Sequence, residues 1–383
     1  MRAWKGWLTT AAVLGAPVAL ASTVVEPRAR LSFEERFDDD FRLNADGRSG
    51  GQLMTKLSPR VGLDAKDPSL KLTSFYAADV LARHGSGQVT LDHRGGFTVN
   101  KLLSRRLKVD VSGSVFRVSD PTSLPRESVA RTNQPVFYAT SRVYATQRVS
   151  RLVDVGAGYG FEGVRVLAEG TQAGFVHTPY VEAWLRSTRR LSLGVEYRYQ
   201  AFLYGDNLDQ GHGVFGALRY RLTRHTTGTL RGGPVAFMGQ DGRRGVLPRV
   251  KLEVLHEAER FDVGFIAGHD LVGASGFSNA LWADYTGLAF NHHLSQRVRL
   301  YGIASFFRNG RAPGEEVFTF NGSPNVSQGY ALSAGFEFKV NRYLSMQAAV
   351  DRISQVGVSP AATAAGVNLT RNVGAVRLHM TAW

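Results

Sequence analysis

The segment that begins at Arg190, RLSLGVEYRYQAFL, alternates between apolar and polar side chains along its whole length. Leu191 and Val195 fall on one face of an extended chain, whereas Ser192 and Glu196 fall on the other. Successive side chains of a strand point to opposite faces, so the pattern predicts a strand with one apolar and one wet face. The alternation also lasts long enough for a tilted strand to cross a bilayer, which takes about 9–11 residues.

A short polar turn followed by an alternating strand recurs along the chain. The markers Ser104, Ser150, Ser187, Thr223, Arg260 and Ser295 follow one another at steps of 46, 37, 36, 37 and 35 residues. Such a step suits a hairpin of two long strands. A propeller blade has a similar period of about 40–45 residues, but it needs four short strands where each repeat here contains two long ones.

Extending the pattern outward from these turns predicts 18 strands, with 16 as the alternative count. The predicted strands cover residues 25–37, 51–63, 69–82, 87–99, 105–118, 135–147, 151–163, 172–186, 189–203, 211–222, 225–238, 246–257, 259–269, 277–291, 296–308, 328–340, 343–355 and 371–383. The marked turns are short, whereas the opposite connections are often long, as at 120–134 and 309–327. No helical segment is available to cover the apolar strand faces. Closing the sheet pairs every backbone group and lets lipid cover those faces. We therefore predict an all-β fold, a transmembrane antiparallel up-and-down β-barrel.

Residues 1–21 have the pattern of a secretory signal peptide, and residues 22–383 are predicted to form the barrel. Arg2 and Lys5 give a basic start, an apolar run follows, and Ala19 to Ala21 fit a small-residue cleavage site. No later stretch approaches about 18 consecutive apolar residues, so no transmembrane helix is predicted. The chain has no cysteine, which excludes disulfides and thiolate metal sites.

The signal, the periodic strands, the unequal connections and the terminal Trp383 together resemble Gram-negative outer-membrane β-barrel proteins of the porin-like kind. The resemblance implies a location in the outer membrane, contact with its lipid and lipopolysaccharide, and recognition by the barrel assembly machinery through the C-terminal aromatic residue. Trp383 matches that position, although it shares its strand face with Arg377 and His379 and alternates against Val376 and Leu378. The size is also similar to the large barrels paired with exopolysaccharide export systems, which implies a periplasmic polysaccharide export protein as a partner.

A barrel of about 16–18 strands leaves an aqueous lumen. The candidate pore-lining residues, all on predicted wet faces, are Lys108, Asp110, Glu196, Arg198, Arg219, Arg221, Arg299, Glu337 and Lys339. They would give the lumen a basic bias, select ions or guide a polymer. The alternative is that they pair across strands and only stiffen the wall. The net charge of +14 fits a basic lumen or basic turns beside lipid headgroups.

Enzyme motifs are weak in this sequence. Residues 211–216 match GxGxxG, but they open an alternating strand and not a helix. The ten histidines are scattered and none lies in an HExxH or GxSxG setting. We predict no enzyme activity, no metal and no cofactor. A nucleic-acid partner would explain the charge but neither the signal nor the strands.

The sequence therefore leads to three hypotheses about function. The favoured one is a translocation channel for an exported exopolysaccharide. The alternative is a general or anion-preferring small-solute porin, and the third hypothesis is a barrel enzyme that acts on lipid or peptide.

Overall fold

The computed structural model describes residues 23–39, 51–120, 135–167, 173–240, 242, 244–273, 280–310, 319–320, 323–324, 327–357 and 369–382. The strands within these ranges are β1 (Val24–Asp38), β2 (Gln52–Asp67), β3 (Leu70–Arg83), β4 (Val89–Leu102), β5 (Leu107–Val118), β6 (Val136–Arg148), β7 (Val153–Val166), β8 (Ala173–Arg186), β9 (Leu191–Tyr204), β10 (Asn207–Arg221), β11 (Thr226–Met238), β12 (Arg244–Glu257), β13 (Phe261–Gly273), β14 (Ala280–His293), β15 (Val298–Gly310), β16 (Thr319–Phe320), β17 (Ser323–Pro324), β18 (Ser327–Lys339), β19 (Leu344–Gly357) and β20 (Leu369–Ala382).

Eighteen of these strands form one antiparallel sheet that closes on itself. Each strand pairs with its neighbour in the chain, and β1 pairs with both β2 and β20. Closure leaves no sheet edge, so backbone amides and carbonyls are paired all round the wall. The two-residue strands β16 and β17 pair only with each other.

The prediction of an 18-stranded antiparallel barrel is confirmed, and the alternative count of 16 is wrong. The predicted boundaries differ from the observed ones by at most four residues, as at the start of β10 and the end of β13. The β16–β17 hairpin was not predicted. The predicted signal peptide and Trp383 lie outside the described residues.

A recurring turn explains the period of the sequence. Seven of the eight described turns that join strand pairs at one end of the barrel begin with a residue whose side-chain oxygen accepts a backbone N–H two or three residues later. These residues are Asp67, Ser104, Ser150, Thr188, Thr223, Ser295 and Asn341. Such a local bond stabilises the turn against extended alternatives. The turn oxygen before β9 belongs to Thr188, so Ser187 was the wrong marker for that turn.

The eight turns are tied to one another in a ring, which we call the turn rim (67–69, 103–106, 149–152, 187–190, 222–225, 258–260, 294–297 and 340–343). In each case the last turn residue accepts a backbone hydrogen bond from the end of a strand of the next pair, as in Arg148 N to Arg106 O at 2.8 Å. The exposed arginines of the rim are Arg105, Arg106, Arg151, Arg189, Arg190, Arg224, Arg260, Arg297 and Arg342. The rim is therefore a hydrogen-bonded basic border of the barrel, and we call the opposite side the loop end.

Connections at the loop end are not uniformly long. Gly205 and Asp206 alone join β9 to β10, and Gly205 takes a φ of 58°, a left-handed value that favours glycine. The predicted contrast between short and long connections therefore holds with an exception at this hairpin.

The outer wall is apolar. Its exposed side chains include Val61 (59% exposed), Val195 (53%), Phe336 (48%) and Val350 (63%). A soluble protein rarely leaves so continuous an apolar surface in water. Lipid covers such a face in a membrane barrel, whose outward band is apolar and whose interior is polar. By fold, the chain is a transmembrane β-barrel.

No helix in the described ranges is both long and apolar enough to cross a membrane.

Candidate functional site

The inward side chains of β5 to β12 surround a cavity of about 1490 Å³ near the turn rim, which we call the large cavity. Twelve arginines and lysines line it, against five aspartates and glutamates. A concave surface with such an excess of one sign concentrates mobile ions of the opposite sign. The large cavity is therefore an anion-attracting compartment.

Six of the nine sequence-predicted residues lie on the wall of the large cavity. They are Lys108, Asp110, Glu196, Arg198, Arg219 and Arg221. Lys108 and Asp110 pair at 2.7 Å, and Arg198 and Glu196 pair at 2.6 Å. These four side chains partly neutralise one another along the wall.

The other three predicted residues lie elsewhere on the inner wall. Arg299 pairs with Glu337 across β15 and β18 at 2.7 Å. Lys339 is exposed at the end of β18, where its backbone N–H bonds to Arg297 of the turn rim. The structure thus brings six of the nine together and leaves Arg299, Glu337 and Lys339 apart from them.

Two tyrosines lie flat on the wall of the large cavity. Tyr144 of β6, Gly158 of β7 and Tyr180 of β8 form one row across three strands. The rings of Tyr144 and Tyr180 are 5.9 Å apart between centroids and only 15° from parallel. A Cβ on Gly156 would lie 2.5 Å from Tyr144 Oη, and a Cβ on Gly158 would lie 2.6 Å from Tyr180 Cε1. The rings therefore rest where β7 has no side chain, and we call the pair the aromatic platform.

Polar groups surround the aromatic platform. Arg142 donates to Tyr180 Oη from Nη2 at 2.9 Å and from Nε at 3.1 Å. Its guanidinium carbon is 5.4 Å from the centroid of Tyr144 and 5.8 Å from that of Tyr180. The hydroxyl of Tyr144 donates to Glu182. Within the described part of the chain, Arg142 has no carboxylate partner, so its charge is available to a solute.

Trp184 repeats this construction two inward rows closer to the turn rim, beyond Glu182 on β8. A Cβ on Gly194 would lie 2.8 Å from Trp184 Cε3, so the indole also rests on a glycine. The guanidinium of Arg219 covers the indole at 4.4 Å from its centroid, a cation–π contact. Among the described residues, Arg219 makes no ion pair.

A second cavity of about 700 Å³ lies against β1 to β4, β15 and β18 to β20, and we call it the small cavity. Its wall includes Arg30 and Arg60, for which the described residues supply no carboxylate partner. The guanidinium of Arg60 lies 3.9 Å from the centroid of Phe75. The lumen is thus cationic on both sides.

The lumen narrows at the loop end of β8 to β14. The inward residues there form an apolar cluster, which consists of Phe202, Tyr204, Phe215, Val235, Phe237, Leu271, Ala280 and Trp282 with Val176 and Leu247 packed against it. Gln200 of β9 donates to the carbonyl of Leu271 of β13 at 3.4 Å, four strands away round the wall. This part of the inner face is packed and not wet, because β13 leans across the lumen.

A buried ion network joins three parts of the wall at the loop end. Arg371 of β20 is 1% exposed and pairs with Asp38 of β1 and with Asp120, which follows β5. Arg36 contacts the same two carboxylates at 3.0 and 2.9 Å. Each acid is shared by two guanidiniums, so the charges are compensated where water is scarce.

The histidines do not converge on an inner site. His93, His177 and His212 face outward, where each bonds through Nδ1 to a tyrosine hydroxyl of the neighbouring strand. His379 faces the lumen and bonds to Ser32 at 2.8 Å and to Gln347 at 3.0 Å. The described residues contain no cluster of three or more His, Asp or Glu side chains that could hold a metal.

Sequence reasoning missed the aromatic platform. The alternation of the predicted strand 172–186 is irregular, so the inward direction of Tyr180 and Trp184 was not assigned. A usable signal lies in β7, where Gly156, Gly158 and Gly160 occupy three successive inward positions. Inward glycines in a row leave space that only neighbouring large side chains can fill.

Comparisons with known proteins show likeness of shape at low identity. No protein-family model matches the chain, and no curated protein matches it. Pseudomonas aeruginosa OpdO is 9% identical, with 93% of this chain and 97% of that chain covered and a TM-score of 0.44. Acinetobacter baumannii OccAB2 is 10% identical, with 93% and 98% covered and a TM-score of 0.44. A loop-deletion mutant of OmpT, an outer membrane protein of Vibrio cholerae, is 10% identical, with 94% and 100% covered and a TM-score of 0.38. The closed barrel is defined by its own strand pairing and does not depend on these likenesses.

Proposed function

We propose that the protein is an outer-membrane channel whose favoured cargo is an exported exopolysaccharide. The observation that carries the proposal is the wall of the large cavity, where a cationic excess and flat aromatic rings face one space. Cations attract an acidic polymer. Aromatic rings offer an apolar face with polar groups at the edge, which suits the mixed surface of a sugar.

The location follows from three features taken together. The outer wall is apolar, the sheet is closed, and residues 1–21 have the pattern of a signal peptide. On this proposal the turn rim faces the periplasm. Its arginines contact lipid phosphates there, and a periplasmic polysaccharide export protein would meet the barrel at the same ring. Trp383 would serve the barrel assembly machinery, and the outer leaflet would bring lipopolysaccharide against the loop end.

The cargo is tested by deleting the gene and measuring polysaccharide on the cell surface and in the periplasm. We expect surface polymer to disappear and periplasmic polymer to accumulate, with both restored by the wild-type gene. A variant with Arg142→Gln and Arg219→Gln should restore export only in part if it folds, because both changes remove cations that have no ion pair among the described residues. Unchanged surface polymer in the deletion strain would reject polysaccharide as the cargo.

The second candidate is an anion-preferring small-solute porin. The observation in its favour is that Arg30 and Arg60, which have no carboxylate partner among the described residues, line the small cavity away from the aromatic platform. The test compares the swelling rates of proteoliposomes in gluconate and in lysine of equal osmolarity. The two solutes are similar in size but opposite in charge, so a difference in rate reports the charge preference of the channel. Fast swelling in gluconate, together with normal surface polymer in the deletion strain, would favour the porin over the exporter.

A further inference from the structure

We propose that Tyr144, Tyr180 and Arg142 form a binding site for an acidic saccharide on the wall of the large cavity. The proposal deepens the proposed function, because it names the chemical class of the cargo and the place where the wall holds it.

The aromatic platform has the shape that a sugar ring needs. Both rings lie along the wall over β7, held by the space at Gly156 and Gly158. The ring planes are 15° from parallel with centroids 5.9 Å apart, so two apolar rings lie close together on the wall of the large cavity. The C–H face of a pyranose can stack on such a surface while its hydroxyls reach polar neighbours.

Arg142 supplies the recognition of acid. Two of its nitrogens already bond to Tyr180 Oη, which fixes the guanidinium beside the platform. Because no described carboxylate pairs with it, its remaining donors can bind a uronate carboxylate on a stacked sugar. Arg142, Thr178 and Tyr180 also line an adjoining cavity of about 510 Å³ toward β13, so the saccharide has room on both sides of the site.

Glu182 sets the limit on the strength of binding. Its carboxylate accepts from Tyr144 and lines the same cavity, so it opposes part of the charge of Arg142. The negative charge of Glu182 weakens the attraction between Arg142 and an acidic saccharide. A polysaccharide that passes through the channel must be released readily, and weaker binding permits this.

A second tyrosine provides a matched control. Tyr301 of β15 also faces the lumen and rests on a glycine, since a Cβ on Gly335 would overlap its ring. The neighbouring Arg299 lies 5.8 Å from the centroid of that ring, but Glu337 neutralises it at 2.7 Å. Tyr301 thus has the same construction beside an arginine that is neutralised and outside the large cavity.

The test is calorimetric titration of the full-length mature protein, refolded in detergent, with a galacturonate hexamer, with maltohexaose and with hexaglutamate. We expect the galacturonate hexamer to bind more tightly than the other two.

Arg142→Gln should weaken galacturonate binding about tenfold and leave maltohexaose unchanged, because it removes a charge-assisted hydrogen bond. Tyr180→Leu should weaken both sugars by about fivefold, because it removes the stacking face. Tyr144→Leu removes the other stacking ring and should also weaken both sugars, whereas Tyr301→Leu should leave both affinities at the wild-type value.

Several results would overturn the site. The first is that the galacturonate hexamer does not bind to the folded wild type. The second is that hexaglutamate binds as tightly as the galacturonate hexamer, and the third is that Tyr301→Leu and Tyr180→Leu lose the same amount of affinity. Folding of each variant is checked by heat-dependent mobility in gels, and Tyr144→Leu stays informative should Tyr180→Leu misfold. Single-channel recording on the same samples separates the two proposals. Binding without current would reject the channel and keep the site, whereas current without binding would reject the site and keep the channel.

Discussion

Arg371 and Asp120 form an ion pair at 2.8 Å although 251 residues separate them in the chain. The pair joins the last strand of the barrel to the end of β5 across the lumen. Together with Asp38 and Arg36 it ties β1, β20 and the end of β5 to one another at the loop end through a buried network of opposite charges.

The network predicts a large loss of stability in Arg371→Met. Without Arg371, Arg36 is the remaining cation beside Asp38 and Asp120 among the described partners. We therefore expect the free energy of unfolding to fall by about 3 kcal/mol, which is the low end of the range for a broken buried ion pair. Urea unfolding of the protein refolded into vesicles measures it. Lys108→Met is the matched control, because its pair with Asp110 is half-exposed and should be worth less than about 1 kcal/mol. Equal effects of the two changes would contradict a buried network.

Gly158 of β7 lies against a tyrosine ring, whereas Gly264 of β13 faces open space, so alanine should affect stability differently at the two positions. Gly158→Ala places a methyl group against the ring of Tyr180, so we expect a loss of about 1–3 kcal/mol from overpacking. Gly264→Ala on the inner face of β13 meets nothing within 4 Å and should change stability by less than about 1 kcal/mol. The near-ultraviolet circular dichroism of the tyrosines should also change in Gly158→Ala alone. An unchanged tyrosine signal in that variant would show that the rings do not rest on β7.

The outer and inner faces of the β8–β9 strand pair should tolerate a lysine differently. Val195 of β9 is 53% exposed on the outer wall, so Val195→Lys should cost about 2–4 kcal/mol in a bilayer. Thr178→Lys on the neighbouring strand faces the lumen, where a lysine stays hydrated, and should cost much less. Unfolding from vesicles compares the two variants. A smaller cost for Val195→Lys than for Thr178→Lys would mean that the apolar face does not meet lipid.

The unpaired arginines predict the ion preference of the lumen. Arg142→Gln with Arg219→Gln removes two cations that the described residues leave uncompensated. We expect the reversal potential in a potassium chloride gradient to move toward cation preference. Thr178→Gln, a neutral change in the same cavity, should leave the potential unchanged. A double variant that keeps the wild-type potential would show that these two arginines do not set the selectivity.

The barrel was predictable from the sequence because each strand lies between two solvents. Lipid and water select opposite side chains at alternate positions, so the pattern of β9 or β18 records both the strand and its faces. The turns were predictable for a local reason, since one side-chain oxygen such as that of Ser104 organises the next three residues.

The interior was less predictable, because alternation tells which face a side chain is on and not what lies against it. Phe215 falls on the face that was expected to be wet, yet it is 2% exposed in the apolar cluster at the loop end. The stacking of Tyr144 beside Tyr180 depends on the register of three strands, and the sequence of any one of them does not contain that register. For the same reason, Arg142 could not be separated from paired arginines such as Arg198 before the fold was known.

The most direct test is the current through a planar bilayer that contains the refolded wild-type protein, under a gradient of potassium chloride. We expect stepwise insertions and a reversal potential on the anion-selective side, since basic side chains outnumber acidic ones on the walls of both cavities. Repeated insertion of folded protein without any current step, or a reversal potential on the cation-selective side, would contradict the account.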